Sequence, residues 1–297
     1  MTRSGDPAAP CTAAPAVLVA PPSAAAAAGR TLAVVAPIIR LSGAEVRRGD
    51  RTLWSDLDLD VAPGEFVTVL GPNGSGKTTL LTVLLGLLGL SAGTCEVGGR
   101  PPRRGDPTVG YVPQQKNIDP HTPLRGRDLV GLGLDGHRFG PPFRGRAERA
   151  RRVREALLQV DALDWADAPI GALSGGEQQR LRVAQALVGD PGLLLADEPL
   201  LSLDLARQRT VVELIERRRR EHDTAVVFVT HELNPVLPVT DRVLYLVDGQ
   251  FRVGTPDEVM TSETLSELYR TDVEVVRVRD RIVVVGAEDR LLPTGHP

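Results

Sequence analysis

The chain is poor in the features that let a protein work outside a reducing, aqueous compartment. It has two cysteines in 297 residues, Cys11 and Cys95. Neither sits in a Cys/His cluster with ligand spacing, so no disulfide framework and no zinc site is implied, and a reducing cytosol is the default setting. Long apolar runs are also missing. The longest, Val83 to Leu90 (VLLGLLGL), falls far short of the roughly 18 residues that span a bilayer, so any membrane role has to come through partners. Lysine is almost absent, with two residues, while the 35 basic side chains are outnumbered by 38 acidic ones. No polycation is available to hold nucleic acid. The arginine, alanine and proline excess fits a GC-rich coding sequence and carries no functional weight. The local run Arg217–Arg220 reads as the solvated end of a helix, where cations complement the helix dipole.

What is present divides into three parts. Half of residues 1–36 are Ala or Pro without periodicity, so residues 1–37 are expected to form a disordered tail. A secretory leader is a poorer reading, because prolines interrupt its apolar part. From residue 38 to about 250, short apolar runs alternate with helical stretches, the pattern of an α/β domain with a largely parallel sheet. Buried strands are expected at Phe66–Leu70, Leu193–Ala196 and Ala225–Thr230, and helices at Lys77–Leu88, Gly175–Val188 and Leu205–Glu221. Residues 116–168 read as an inserted helical unit. Residues 251–297 suggest a short helix at Pro256–Tyr269 and a hairpin of Val273–Val278 with Ile282–Val285, turning at Arg279-Asp280-Arg281.

Between the first of those strands and its helix stands Gly71-Pro72-Asn73-Gly74-Ser75-Gly76-Lys77-Thr78, followed by Thr79. This is the G-x-x-x-x-G-K-[ST] loop in the strand-to-helix context it requires. Its glycines let backbone N–H groups wrap phosphate oxygens, and the helix N-terminus adds partial positive charge. Lys77 would reach the β and γ phosphates and the Thr78 hydroxyl would ligate Mg²⁺. A bare tight turn would explain the glycines but has no use for the lysine and threonine together. At the end of Leu193–Ala196, the pair Asp197 and Glu198 is costly to bury unless a cation lies nearby, which points to a metal.

Four further phrases follow: Leu173-Ser174-Gly175-Gly176-Glu177-Gln178-Gln179-Arg180, Leu193 to Pro199 (LLLADEP), Ser202-Leu203-Asp204 and Val229-Thr230-His231. With the phosphate loop they occur in the order of a known family, and over about residues 38–250 the chain resembles the ATP-binding subunit of an ABC transporter. The resemblance implies an α/β P-loop NTPase core of RecA type with an inserted α-helical subdomain and a small β-rich part. It implies ATP and Mg²⁺ as ligands, with Asp197 holding the metal through water and Glu198 acting as general base. His231 would contact the γ phosphate. Gln114, in Tyr111-Val112-Pro113-Gln114, would touch Mg²⁺ and the attacking water, in better register than Gln115. Ser174, Gly175 and Gly176 double as a capping box with Glu177 and, by resemblance, meet the γ phosphate bound to a second copy of the chain. The family stacks adenine on an aromatic residue; counting back from Val61-Ala62-Pro63-Gly64-Glu65 puts Arg48 there, with Trp54 a substitute more readily explained as core.

The partners implied are a second copy in an ATP sandwich, integral membrane permease subunits, and indirectly an extracytoplasmic solute-binding protein, at the cytoplasmic face of the membrane. Nucleic acid is not among them. The phrases at 117–130, His231–Val236 and Asp241–Leu246 are similar to ATPases of zinc and manganese uptake systems. Soluble ABC ATPases of cofactor assembly, or transporters of another substrate, are the alternatives.

Overall fold

The computed structural model describes residues 36–114, 122–135 and 145–286. The Ala/Pro tail with Cys11, Gln115, Lys116, the 117–120 phrase, and His121, His137 and His296 lie outside the described residues. In chain order the elements are β1 (Ile39–Arg48), β2 (Arg51–Val61), β3 (Phe66–Leu70), α1 (Lys77–Leu84), β4 (Ala92–Val97), β5 (Val109–Val112), α2 (Gly126–Asp135) and α3 (Arg146–Gln159). They continue as α4 (Gly175–Leu187), β6 (Leu193–Asp197), α5 (Leu205–His222), β7 (Ala225–Val229), β8 (Arg242–Val247), β9 (Gln250–Gly254), α6 (Pro256–Val259), α7 (Ser262–Tyr269), β10 (Val273–Val278) and β11 (Arg281–Gly286).

The central sheet has the order β5-β6-β7-β3-β8-β9. Every neighbouring pair is parallel except β8–β9, where the chain doubles back antiparallel. Side chains alternate across a strand, and here both sides are covered. Phe66, Leu194, Val226 and Phe228 enter one apolar cluster, with residues of α2 to α5. Val67, Leu195, Val227 and Val229 enter another, with α1 and the antiparallel sheet β2-β1-β4. Burial on both faces is why these strands read as unbroken apolar runs. In the sheet order, β7 sits between β6 and β3, so the carboxyl ends of three adjacent strands lie side by side. In open α/β sheets ligands bind outside that edge.

Several local expectations are revised. Helix α1 stops at Leu84, short of Leu88. Gly86 (φ 66°) has its N–H on the Val83 carbonyl while Leu87 reaches back to Thr82, which ends the helix in a Schellman turn. Leu87 and Leu88 are thereby left exposed. The single helix expected over Pro256–Tyr269 is two, because Thr255 and Thr261 each cap a new start, the first through a capping box with Glu258. The Arg217–Arg220 run is not simply a solvated face. Arg218 is 6% exposed and bonds Thr224 and Asp190, while Arg219 donates to the Gly64 carbonyl at 2.9 Å and to Asp241 at 2.8 Å. These partners pin the carboxyl end of α5 to the starts of the neighbouring strands.

Candidate nucleotide site

The loop between β3 and α1 is shaped by contacts that tolerate nothing larger than glycine at two positions. A Cβ on Gly71, at φ 141°, would lie 2.0 Å from the Leu246 carbonyl oxygen. A Cβ on Gly76, at φ 100°, would lie 2.8 Å from Trp54 Nε1. Trp54 is wholly buried under the loop, so it supports the turn and is not placed to stack on a base. Gly71→Ala combines a left-handed backbone with overpacking against main chain, and we expect it to lower stability by at least about 2 kcal/mol. Urea unfolding measures this directly, and an unchanged midpoint would mean that β8 yields to the new methyl group.

Lys77 opens α1 and folds back over the loop, its Nζ donating to the carbonyls of Gly71 (2.7 Å) and Pro72 (3.0 Å). Burial lowers the lysine's pKa, and the carboxylates of Glu198 and Asp197 oppose that shift. An ammonium carries three donors, and two serve to shape the loop. Ser75 Oγ is buried beside them with no partner among the described residues. A cationic cradle of this kind, with an orphaned hydroxyl at a helix N-terminus, fits phosphate oxygens.

Thr78 Oγ1 donates to Asp197 Oδ1 at 3.3 Å. Asp197, the last residue of β6, is 3% exposed. Its pKa is raised by burial, a shift offset in part by the Thr78 hydrogen bond and by Lys77. Burial, together with the Asp197 carboxylate beside it, pushes the Tyr111 phenol up to about 12. Hard oxygen donors gathered around a buried carboxylate, with a second carboxylate at Glu198 beside it, fit Mg²⁺. In the sequence Tyr111 stands out only as part of the phrase that ends in Gln114, since nothing local shows that β5 lies next to β6.

Glu198 leaves β6 at φ 46°, its N–H held by the Val229 carbonyl at 2.9 Å. That left-handed step aims the side chain away from the sheet. Gln114 Nε2 donates to Glu198 Oε2 at 3.2 Å, and His231 Nδ1 lies 3.8 Å from the same oxygen. Gln114, Glu198 and His231 thus converge from β5, β6 and β7, next to the Thr78–Asp197 pair.

Ser174, Gly175 and Gly176 form the start of α4. The expected capping box is present, with Ser174 N–H donating to Glu177 Oε2 at 2.7 Å and Glu177 N–H donating back to Ser174 Oγ. Gly176 faces Arg207, whose Cδ would meet an added Cβ at 2.6 Å. Among the described residues no hydrogen bond joins this cap to the loop Gly71–Thr79. Arg48, at the end of β1, lines a crevice of about 450 Å³ with Leu53, Thr78, Thr79, Leu87 and Leu88. No aromatic side chain contributes to that crevice.

Comparison with known proteins accords with this geometry. The ABC transporter family model matches residues 54–201. The zinc import ATP-binding protein ZnuC of Pseudomonas fluorescens is 36% identical over 234 residues, which cover 78% of this chain and 82% of that protein. The chain belongs to the ABC transporter ATP-binding family. The zinc import ATP-binding protein ZnuC of Cereibacter sphaeroides is 39% identical over 224 residues, which cover 75% of this chain and 85% of that protein. Among solved structures, a metal-chelate type ABC transporter in an inward-facing conformation matches with TM-score 0.72 at 26% identity, covering 86% of this chain and all of that one. An ATP-binding cassette in a dimeric post-hydrolysis state with ADP and Pi matches with TM-score 0.61 at 28% identity, over 73% of this chain and 98% of that one. The family core is the α/β P-loop NTPase sheet described above. Within the described residues, no helix is long and apolar enough to cross a membrane.

Proposed function

We propose that the chain is the ATP-hydrolysing subunit of a metal-ion importer for zinc or manganese, working as two copies that enclose ATP and Mg²⁺ between them. The observation that carries the catalytic part is the convergence of Gln114 and His231 on Glu198 beside the Thr78–Asp197 pair. The cargo part is supported by the likeness to zinc import ATP-binding proteins and to a metal-chelate type transporter.

In this reading Lys77, Ser75 and the N–H groups opening α1 bind the phosphates. Thr78 and Asp197 hold Mg²⁺, which neutralises phosphate charge when bound. Glu198 accepts the proton of the attacking water, Gln114 fixes the carboxylate oxygen that does so, and His231 stands where an imidazole can meet the terminal phosphate. Ser174, Gly175 and Gly176 serve the phosphate held by the other copy, which accords with their lack of a bond to their own loop. Arg48, flanked by Leu87 and Leu88, offers a guanidinium face to the base. Closure on ATP and release after hydrolysis would be passed mechanically to permease subunits at the cytoplasmic face of the membrane. An extracytoplasmic solute-binding protein would then deliver the ion to the permease.

Affinity purification of the tagged chain from detergent-solubilised host membranes tests this reading. A polytopic permease should be recovered in stoichiometric amount, and cells lacking the chain should lose high-affinity zinc or manganese accumulation. Recovery of soluble partners alone would transfer the ATPase to cofactor assembly, and loss of a different solute would replace the cargo.

A further inference from the structure

The loop that follows His231 is tied to the carboxyl-terminal hairpin by two hydrogen bonds that the chemistry above does not use. Asn234 Nδ2 donates to the Ile282 carbonyl at 2.9 Å, and Asn234 Oδ1 accepts from the Ile282 N–H at 2.8 Å. One side-chain amide therefore satisfies both backbone groups of a residue 48 positions away, in the way a neighbouring strand would. In the β10–β11 ladder Ile282 stands opposite Arg277. Its amide and carbonyl are turned outward to Asn234, which places this pair in the register without mutual hydrogen bonds.

The rest of the loop is anchored at its start, where the Thr230 N–H donates to the Val69 carbonyl at 3.1 Å. Thr230 Oγ1 accepts from the Glu232 N–H and donates to the Glu232 carbonyl, both at 3.1 Å, which only closes a local turn. Leu233 and Val236 are buried in the same apolar cluster as Ile282. His231 itself is half-exposed, and its Nδ1 lies 3.8 Å from Glu198 Oε2. Beside the loop lies a cavity of about 790 Å³, lined among others by Gly71, Pro72, His231, Asn234, Arg281 and Ile282. On the side where this cavity opens, the Asn234 amide bridges the His231 loop to the hairpin.

We propose that Asn234 is a positioning residue for hydrolysis: by clamping the His231 loop to Ile282, it makes the carboxyl-terminal hairpin part of the catalytic frame. The proposal rests on the role given to His231 above. The clamp acts on the placement of the imidazole and leaves the phosphate loop untouched. Its loss therefore reduces turnover without reducing nucleotide affinity.

The test uses the full-length chain. Asn234→Ala removes both hydrogen bonds. Asn234→Asp, nearly the same shape, keeps the acceptor for the Ile282 N–H but loses the donor to the carbonyl, and it guards against a misfolded alanine variant. Steady-state ATP hydrolysis should show kcat reduced about tenfold in the alanine variant and several-fold in the aspartate variant, with the dissociation constant for ATP within about twofold of wild type. In a His231→Ala background, adding Asn234→Ala should cost little more, since both changes disable one unit. Wild-type kcat in both Asn234 variants overturns the proposal. So does a loss of affinity equal to the loss of kcat, or a full tenfold further loss on top of His231→Ala. A wild-type chain that fails to hydrolyse ATP at all would instead overturn the functional reading, and the clamp's role with it.

Discussion

Glu198→Gln hydrolyses ATP about a thousandfold more slowly than the wild-type chain while still forming an ATP-bound dimer. The size of the loss follows from removing a general base, whose contribution is typically 10²- to 10⁴-fold. The substitution is close to neutral for the fold. The left-handed backbone of residue 198 is held by the Val229 carbonyl, not by the side chain, and a glutamine oxygen can still accept from Gln114. The groups assigned to phosphate binding are left in place, so nucleotide binds and the second copy closes over it. Phosphate release under steady-state conditions and the mass of the particle in ATP and Mg²⁺ are the two readouts. Near-wild-type turnover would remove Glu198 from the role of base. A turnover defect without an ATP-dependent dimer would move the fault to assembly.

Lys77→Ala produces the other large effect, at an earlier step. Lys77 shapes the loop through the Gly71 and Pro72 carbonyls, and its charge lies close to the acidic pair Asp197 and Glu198. Truncating one member of a desolvated charge pair, here Lys77 with the phosphates, costs about 2–5 kcal/mol, so ATP affinity should fall by roughly thirtyfold to several-thousandfold. Thermal unfolding supplies a check. At a ligand concentration of 100 times Kd, binding stabilises a protein by about 2.7 kcal/mol. For a domain of 150–250 residues that corresponds to a rise of very roughly 5–10 °C in Tm. Mg²⁺-ATP should produce such a rise in the wild-type chain and only a small fraction of it in the variant at the same concentration. An equal shift in both would show that phosphate is held without the lysine.

The parts of this site that sequence reveals are those written in consecutive residues. The phosphate loop is legible because its glycines, lysine and threonine are spaced by the chemistry of one phosphate group, and the capping box of α4 because Ser174 and Glu177 lie one helical turn apart. β3, β6 and β7 are legible because burial on both faces leaves them almost wholly apolar, with Thr68 inside β3 and Asp197 at the end of β6 the exceptions. The placement of Gln114, Glu198 and His231 around one oxygen depends on the order β5-β6-β7-β3, which no local pattern encodes; family resemblance names the three residues, and the fold brings them together. Tyr111 on Asp197, and Arg218 on Asp190 and Thr224, escape notice for the same reason. Each is a contact between segments made neighbours only by the fold. Asn234 and Ile282 are the extreme case, since an asparagine after a strand has every local reason to be a turn residue. The end of α1 is hidden in the sequence on different grounds: the leucines after Val83 favour helix by propensity, and Gly86 overrides them by its backbone conformation.

The seat of Lys77 also governs how the protein meets reagents. Only two lysines occur in the chain, Lys77 and Lys116. The first is 5% exposed, with its amine engaged by loop carbonyls. Amine-directed acylating probes and crosslinkers, so often aimed at lysine-rich surfaces, therefore find few side-chain targets here, and the functional one is shielded until the loop opens. Modification at residue 77, followed by mass spectrometry of arginine-cleaved peptides, becomes a gauge of that opening.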